Sequence, residues 1–580
     1  MCGIHATISR TPPPLHSLPP ELERCLRARG PDHFGQVDRS HLPQHTHQHT
    51  DIGTDTKTET ETDWSLRFTS TVLALRGDHV ARQPLTDDAR CGSVLCWNGE
   101  AWRVGGGGAG GEKERVQGND GEVVFGKLTA ASSAAAAGAG GAGGGAAAGV
   151  AAGVDAVLEV LRGIEGPFAF VYYDAGAGRV FFGRDRLGRR SLLRATTEGG
   201  GLALCSVAGP AGEGWEEVEA DGVYVVTVGG EVRPERHDWV VGEDAADFVS
   251  GIGRFNRALP TSCRQLTAQS PSVVALKEQL LESLRLRILN IPLPPAPDAN
   301  GKTRVAVLFS GGLDCTVLAR LCHDILDADQ GIDLLNVAFE NPRVVAQLRK
   351  ENGNLPDFYE ACPDRITGRK SFAELQKVCP GRAFRFVAAH RQQVISLIHP
   401  HNTEMDLSIA YALYFASRGQ GFSTESPDSI PTPCTSPARV LLSGLGADEL
   451  FGGYSRHPSA FQQRGHPGLI DELLLDVGRL GKRNLGRDDR VMAHWGKEVR
   501  FPFLDERLVR WAIETPAWEK CDFENGDEVS GVEAGKRILR LLALELGMEN
   551  VAKEKKRAIQ FGSRTAKMES GKVKGTTLIS

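Results

Sequence analysis

The chain has 580 residues, 41% hydrophobic and 24% charged, with a net charge of −6. That length exceeds one ordinary core and predicts two folded domains, while the weak, dispersed charge excludes a strongly basic face and with it a nucleic-acid partner. No uninterrupted apolar run reaches the length of a membrane helix, and the start, MCGIHATISR, lacks the basic and apolar regions of a secretory signal, so a cytoplasmic enzyme is expected.

Taken in chain order, the first signal is a cysteine after the initiator methionine. Removal of Met1 would make Cys2 terminal, so that its own α-amino group could serve as base while its thiolate attacks an amide. RGPD follows at 29–32, then Arg76 closing the strand STVLALRG, Gln83-Pro84-Leu85, WNGE at 97–100 ending the strand SVLCWNGE, and Asn119-Asp120. FAFVYYD and RVFFGRD read as further short strands. The His/Thr/Gln-rich stretch 41–63 and the Gly- and Ala/Gly-rich runs within 104–153 are expected as loops inserted into this strand-rich domain. His41, His45, His47 and His49 lie in the first of these, a polar run that reads as solvated loop and not as a metal site. The twelve cysteines show no CxxC or zinc-like spacing and read as thiols.

An amphipathic helix over 273–289 and the proline-dense segment 291–302 put the boundary near 259–270, giving domains 2–258 and 272–580. VAVLFS, LLNVAFE, FRFVAA and RVLLSG then alternate with helical stretches, the pattern of an α/β doubly wound parallel sheet. A Ser/Thr/Pro-rich stretch near 421–437 reads as another loop insertion. VLFSGGLDC sets Ser310, Gly311, Gly312 and Asp314 at the carboxyl edge of a buried strand, where small residues let backbone N–H groups approach a phosphate and a helix amino end favours its charge. It is not a Walker A loop, because the Gly-Lys-Ser/Thr ending is missing. LLSGLGADELFGGYSRH at 441–457 again ends a strand in glycines and adds Asp448 and Glu449, paired carboxylates that suit Mg²⁺ beside phosphates.

The residues of the first domain resemble a class II glutamine amidotransferase. That resemblance implies an Ntn-hydrolase αββα sandwich in which Cys2 splits glutamine, Arg76 binds the substrate carboxylate, Glu100 and Asp120 bind its ammonium group, and Asn98 with the Gly99 N–H holds the oxyanion. SGGLD resembles the pyrophosphate loop of ATP-pyrophosphatase enzymes. With GKEVRFPFLDERLV at 496–509 and Lys536 in AGKRILR, the second domain is similar to that of asparagine synthetases. It implies ATP binding by Leu308, Ser310, Gly311, Gly312, Asp314, Ser443 and Gly444, Mg²⁺ at Asp314 and Asp448, and stabilisation of departing pyrophosphate by Lys536. GADE before GYSRH, NLGRDDR at 484–490 and KRAIQFGSRTAKME at 556–569 put the resemblance in the diverged branch of asparagine synthetase domain-containing proteins. The implied reaction converts aspartate, glutamine and ATP to asparagine, glutamate, AMP and pyrophosphate through β-aspartyl-AMP. A homodimer is left open.

Two positions depart from that family. Cys315 stands where a serine is usual, with Thr316 adjacent as a substitute hydroxyl. Leu445 replaces the glutamate of SGEG, and a missing base costs about 10² to 10⁴ in rate. Asp448 or Glu449 could substitute, or be committed to metal. A glutaminase with another amide acceptor, and a regulatory or binding protein that keeps the fold, remain as alternatives.

Overall fold

The computed structural model describes residues 1–10, 18–41, 64–88, 92–105, 112–139, 146–209, 214–242, 247–262, 265–293, 303–339, 359–389, 394–426, 429–482, 484–525, 531–566 and 576–579. They fall into two units, Met1–Trp239 and Val240–Ser580. Among the described residues no helix is long and apolar enough to cross a membrane.

The first unit contains β1 (Gly3–Ser9), α1 (Pro20–Arg29), β2 (His33–His41), β3 (Trp64–Val72), β4 (Leu85–Thr86), β5 (Val94–Gly99), β6 (Arg103–Gly105), β7 (Lys113–Arg115), α2 (Asp120–Ala139), α3 (Ala146–Arg162), β8 (Phe168–Asp174), β9 (Arg179–Arg184), β10 (Leu193–Thr196), β11 (Leu202–Cys205), β12 (Glu216–Glu217), β13 (Gly222–Thr227) and β14 (Glu235–Asp238). One sheet runs β12-β10-β11-β1-β3-β2 and another β14-β13-β9-β8-β5-β4. Strand alternation decides the layers. Ile4, Ala6 and Ile8 of β1 meet Val94, Cys96, Val171 and Phe182 of the second sheet in a core between the two. Leu22 and Leu26 of α1 cover the outer face of the first sheet with Cys205 and Val207. Leu95, Trp97 and Phe170 on the outer face of the second take Val124 and Leu128 of α2 and Val157, Leu158 and Leu161 of α3. The order is therefore helix, sheet, sheet, helices, and each fully buried Leu, Val or Phe contributes about 1.5–3 kcal/mol.

The second unit contains β15 (Phe248–Val249), β16 (Gly253–Arg254), α4 (Pro271–Ile288), β17 (Val305–Leu308), α5 (Leu313–Ile325), β18 (Ile332–Val337), β19 (Phe384–Ala389), β20 (Gln420–Thr424), β21 (Thr432–Thr435), β22 (Val440–Leu442) and β23 (Glu498–Arg500), with further helices between and after them. Its sheet runs β21-β20-β19-β18-β17-β22-β23, parallel from β19 to β23 and antiparallel at the β20–β21 edge.

Four expectations change. The Ala/Gly run becomes helix at both ends, in α2 and α3, because alanine is the best helix former and the apolar face of each helix packs on the sheet, outweighing a glycine cost of about 1 kcal/mol each. The 421–437 stretch is largely an edge hairpin, β20–β21. Strand β3 stops at Val72, so Arg76 stands in a loop and closes no strand. The boundary lies earlier than 259–270: the β15–β16 hairpin joins the second unit, where Arg510 Nε donates to Ile252 O at 3.0 Å and Asn256 N to Ile513 O at 2.8 Å. Of the first low-complexity stretch only His41 is described, near Tyr173 Oη at 3.2 Å; His45, His47, His49 and the glycines 106–111 lie outside the described residues.

Candidate functional site

In the first unit the alternation that builds the core also aims two polar side chains. Cys2 precedes Ile4, Ala6 and Ile8 in one series, and Asn98 follows Val94 and Cys96 in another, so both belong to the facing surfaces of the two sheets. Cys2 is 8% exposed and Asn98 is fully buried. The Cys2 carbonyl accepts from Arg29 Nε at 3.4 Å, and Gly3 N donates to Thr71 Oγ1 at 2.9 Å, which fixes the head of β1. A side chain at position 3 would come within 2.6 Å of that hydroxyl, so only glycine fits after the cysteine. Met1 is buried as well, and while it is attached the Cys2 nitrogen is an amide with no basic lone pair.

Asn98 is the unusual member of this layer, because its Oδ1 and Nδ2 are buried with no hydrogen-bond partner among the described residues. Such a group costs about 1–3 kcal/mol, and a donor held unpaired in a dry site is what a developing oxyanion requires. Gln83 Oε1 accepts from Trp97 N at 2.8 Å and fixes the residue before it. At Gly99 a Cβ would lie 2.3 Å from Pro167 O, so the backbone there admits no other residue.

Arg76, Glu100 and Asp120 come together, as their sequence order alone could not demonstrate. Arg76 Nη1 donates to Glu100 Oε2 at 3.3 Å and Ala101 O at 3.1 Å, and Nη2 to Val116 O at 2.8 Å. Asp120 Oδ2 accepts from Ala101 N at 2.8 Å and Trp97 Nε1 at 3.0 Å. Burial pushes the Asp120 carboxyl up, opposed by Arg76 and by these two donors. Two carboxylates against one guanidinium leave an excess of negative charge for an ammonium, while donors of Arg76 remain over for a carboxylate. An amino-acid head group needs both.

In the second unit β17 and β22 are neighbours, with β18 and β19 on one side and β23 on the other, so the sheet reverses its winding between them. Ligands of such sheets bind outside the carboxyl ends of the strands at that switch point. Both glycine loops lie there. Leu308 ends β17, Ser310 Oγ accepts from Gly312 N at 3.3 Å, and Gly312 caps α5. Gly311 has φ +82°, and a Cβ on it would meet Gly368 N at 2.4 Å; Ser371 Oγ donates to its carbonyl at 2.6 Å. Ser443 N donates to Arg500 O at 3.0 Å, and a Cβ on Gly444 would stand 2.8 Å from Asp314 Cβ, so the two loops touch.

Lys536 joins them. Its Nζ donates to Asp314 Oδ1 at 2.8 Å and Oδ2 at 2.9 Å and lies 3.0 Å from Asp448 Oδ1. Far from being a surface lysine, it is 3% exposed. Its backbone is left-handed at φ +54°, a conformation that costs a non-glycine residue on the order of 1–3 kcal/mol and that persists where surroundings enforce it. Lys556 Nζ bonds Asp448 as well. Burial works against the charge on Asp448, yet Lys536 and Lys556 hold its carboxyl well below the usual carboxylate range. Burial likewise disfavours the Lys536 ammonium, but Asp314 and Asp448 push its pKa above the ordinary lysine value.

Two of the substitutes considered for missing groups are spent elsewhere. Thr316 Oγ1 donates to Gly312 O at 2.7 Å, and Cys315 Sγ to the same carbonyl at 3.3 Å, so neither replaces the serine hydroxyl. Glu449 accepts from Tyr454 Oη at 2.5 Å, and burial followed by the Asp448 charge raises its pKa. Asp314 and Asp448, meeting at a single cation beside the loops, fit Mg²⁺, which takes one or two carboxylates and completes its shell with phosphate and water. Among the described residues no group of three or more His, Cys, Asp or Glu gathers as a self-sufficient metal site. Lys556 is the residue that sequence reasoning passed over. It lies in KEKKRA, and a basic run ordinarily signals a solvated face.

A family model described as asparagine synthase matches residues 459–577. An asparagine synthetase domain-containing protein 1 of Mus musculus is 31% identical, over 99% of this chain and 98% of its own length. An asparagine synthetase domain-containing protein of Saccharomyces cerevisiae is 34% identical over 73% of this chain and 75% of its own. A glutamine-hydrolyzing asparagine synthetase of Cricetulus griseus is 25% identical over 61% and 56%. The chain belongs to the asparagine synthetase domain-containing protein family.

Proposed function

We propose that this chain is a glutamine-hydrolysing, asparagine synthetase-like ligase acting on glutamine, aspartate and ATP. In the first unit, a Class II amidotransferase of the Ntn-hydrolase type, Cys2 freed of Met1 attacks the glutamine amide carbon, its α-amino group taking the thiol proton. Asn98 Nδ2 and the Gly99 N–H receive the oxyanion, Arg76 the substrate carboxylate, and Glu100 with Asp120 its ammonium group. Ammonia leaves, and water hydrolyses the thioester to glutamate.

In the second unit, of the ATP-pyrophosphatase type, Leu308, Ser310, Gly311, Gly312, Ser443 and Gly444 cradle the nucleotide. The aspartate β-carboxylate attacks the α-phosphorus, pyrophosphate departs, and ammonia from the first reaction displaces AMP from the acyl carbon. Lys536 and Lys556 supply positive charge to the departing pyrophosphate. Asp314 and Asp448 would hold Mg²⁺, which neutralises phosphate charge when bound. The observation that carries this reading is the convergence of Asp314, Asp448 and Lys536 at the switch point: three chain segments far apart in sequence meet where an adenylation site needs charge.

One observation favours a second reading. With Leu445 apolar and Asp448 bound to two lysines, the ammonia step lacks the family's carboxylate, which suits a glutaminase serving another acceptor or a protein that regulates by binding. Amino-acid quantification with glutamine, aspartate, ATP and Mg²⁺, with Cys2→Ala and Leu445→Glu alongside, separates these. Equal glutamate and asparagine, both lost in Cys2→Ala, are expected, with Leu445→Glu raising asparagine. Glutamate alone would point to another acceptor, and neither product to the regulatory reading.

A further inference from the structure

Between buried Leu75 and buried Ala81 the chain bulges outward through exposed Gly77, Asp78, His79 and Val80. Arg76 heads this bulge. Among the described residues no backbone hydrogen bond holds the stretch 77–82. The ties on either side are Ala74 N donating to Asp32 Oδ2 at 2.8 Å and Trp97 N donating to Gln83 Oε1 at 2.8 Å. A loop without backbone bonds belongs to the least stable part of a domain, so side chains decide its position.

His79 makes the crossing. Its Nδ1 lies 2.8 Å from Asp78 Oδ1 and its Nε2 3.0 Å from Glu122 Oε1. A neutral imidazole carries one N–H and can donate to one carboxylate only; satisfying both requires the doubly protonated ring. Glu122 stands in the first turn of α2, two residues after Asp120, and its N–H donates to Asn119 Oδ1 at 3.2 Å. Gly77, at φ +78°, sits against Asn119, where an added Cβ would lie 3.4 Å from the amide nitrogen. The imidazole thus bridges the loop bearing Arg76 to the helix start bearing Asp120, beside the contact of Gly77 with Asn119.

We propose that the His79 imidazolium, held between Asp78 and Glu122, is a positioning residue that latches the Arg76 loop onto α2 and so sets the affinity of the pocket for its amino-acid substrate. This rests on the glutamine reading above. The charged groups facing the ring are Asp78 on its own loop and Glu122 on α2, and their hydrogen bonds, Asp78's first, lift its pKa to about 8. A raised histidine pKa means the latch is fully present below the free value of 6.5 and is lost as pH rises through about 8. Being exposed, it also weakens with salt.

The test is the order parameter of the Val80 methyl groups in the full chain at pH 7 and pH 9, with glutamine kinetics alongside. The wild type should be ordered at pH 7 and mobile at pH 9, His79→Gln and Glu122→Gln mobile at both, and His79→Lys, with its permanent charge, ordered at both. The glutamine KM at pH 7 should rise about threefold in His79→Gln, within the range of exposed ion pairs, with kcat unchanged. Equal order in wild type and His79→Gln at pH 7 overturns the latch whatever the activity. Lost order with an unchanged KM in an active enzyme overturns the positioning role. Intact pH-dependent order in a wild type that releases no glutamate supports the latch and counts against the glutamine reading alone.

Discussion

Replacing Asn98 with alanine should lower activity and leave stability unharmed, a combination that few buried polar residues give. Both amide atoms of Asn98 are buried without partners among the described residues, which carries a desolvation cost of about 1–3 kcal/mol. Alanine removes that cost. The void it leaves, roughly 40 Å³ at about 24 cal/mol per Å³, returns about 1 kcal/mol, so the net change lies between about zero and 2 kcal/mol in favour of the variant. In turnover the sign reverses. Losing one oxyanion donor costs about 10² to 10³ in kcat. Calorimetry of the full chain would read the first quantity and glutamate release at saturating glutamine the second. A variant that is destabilised by more than about 2 kcal/mol while still hydrolysing glutamine would show that the amide serves the fold, and the oxyanion assignment would fall.

Lys536→Met removes the ammonium shared by Asp314 and Asp448 while keeping the length of the side chain. Breaking a buried pair costs about 3–5 kcal/mol; because Asp314 and Asp448 keep some solvent access, about 2–3 kcal/mol is expected by denaturant unfolding, with ATP–pyrophosphate exchange lost and glutamate release retained. Asp364 gives a pH dependence of opposite sign to that of a salt-bridged acid. Burial raises its carboxyl from 3.8 to about 7, against the pull of Arg557 and with the push of Glu554. The folded chain therefore holds a proton that the unfolded chain has released, and this group's contribution falls as pH climbs from about 4 to about 7 and is level above. Asp364→Asn should remove that slope and add on the order of 2–4 kcal/mol at pH 8 but little at pH 4, measured as stability against pH.

The parallel sheet was legible because VAVL, LLNV and FRFV are buried runs with helices between, a pattern that few other folds satisfy. The strands of the first unit were legible because β5 and β8 are apolar runs, but its layers followed from the resemblance and not from the pattern. What escaped was decided by tertiary contact. Local propensity reads the glycines of 130–153 as helix breakers, and only the sheet beneath Val157 and Leu161 makes a helix worthwhile. Lys556 looks like any surface lysine until Asp448 is beside it, and Lys536 was singled out by the resemblance and not by its local sequence. Thr316 looked available as a hydroxyl because its bond to Gly312 O depends on the helix turn.

The positions that break local rules coincide with the candidate sites. Asn98 is polar in an otherwise apolar series, Lys536 is a left-handed non-glycine residue under burial, and each is expensive for the fold by itself. Leu445 breaks a rule of the opposite kind, because it puts an apolar side chain in a glycine loop. Its chemical consequence is narrower than the loss of a base suggests. Ammonia arrives already nucleophilic and must lose a proton only after it has attacked, so a missing carboxylate slows the collapse of the adduct and does not disarm the nucleophile. Water or a protonated amine would suffer earlier, at the attack itself. In the proposed reaction, the pairing of an amide-splitting pocket with this loop would therefore favour ammonia over any amine that would need deprotonation as the nucleophile at the second site.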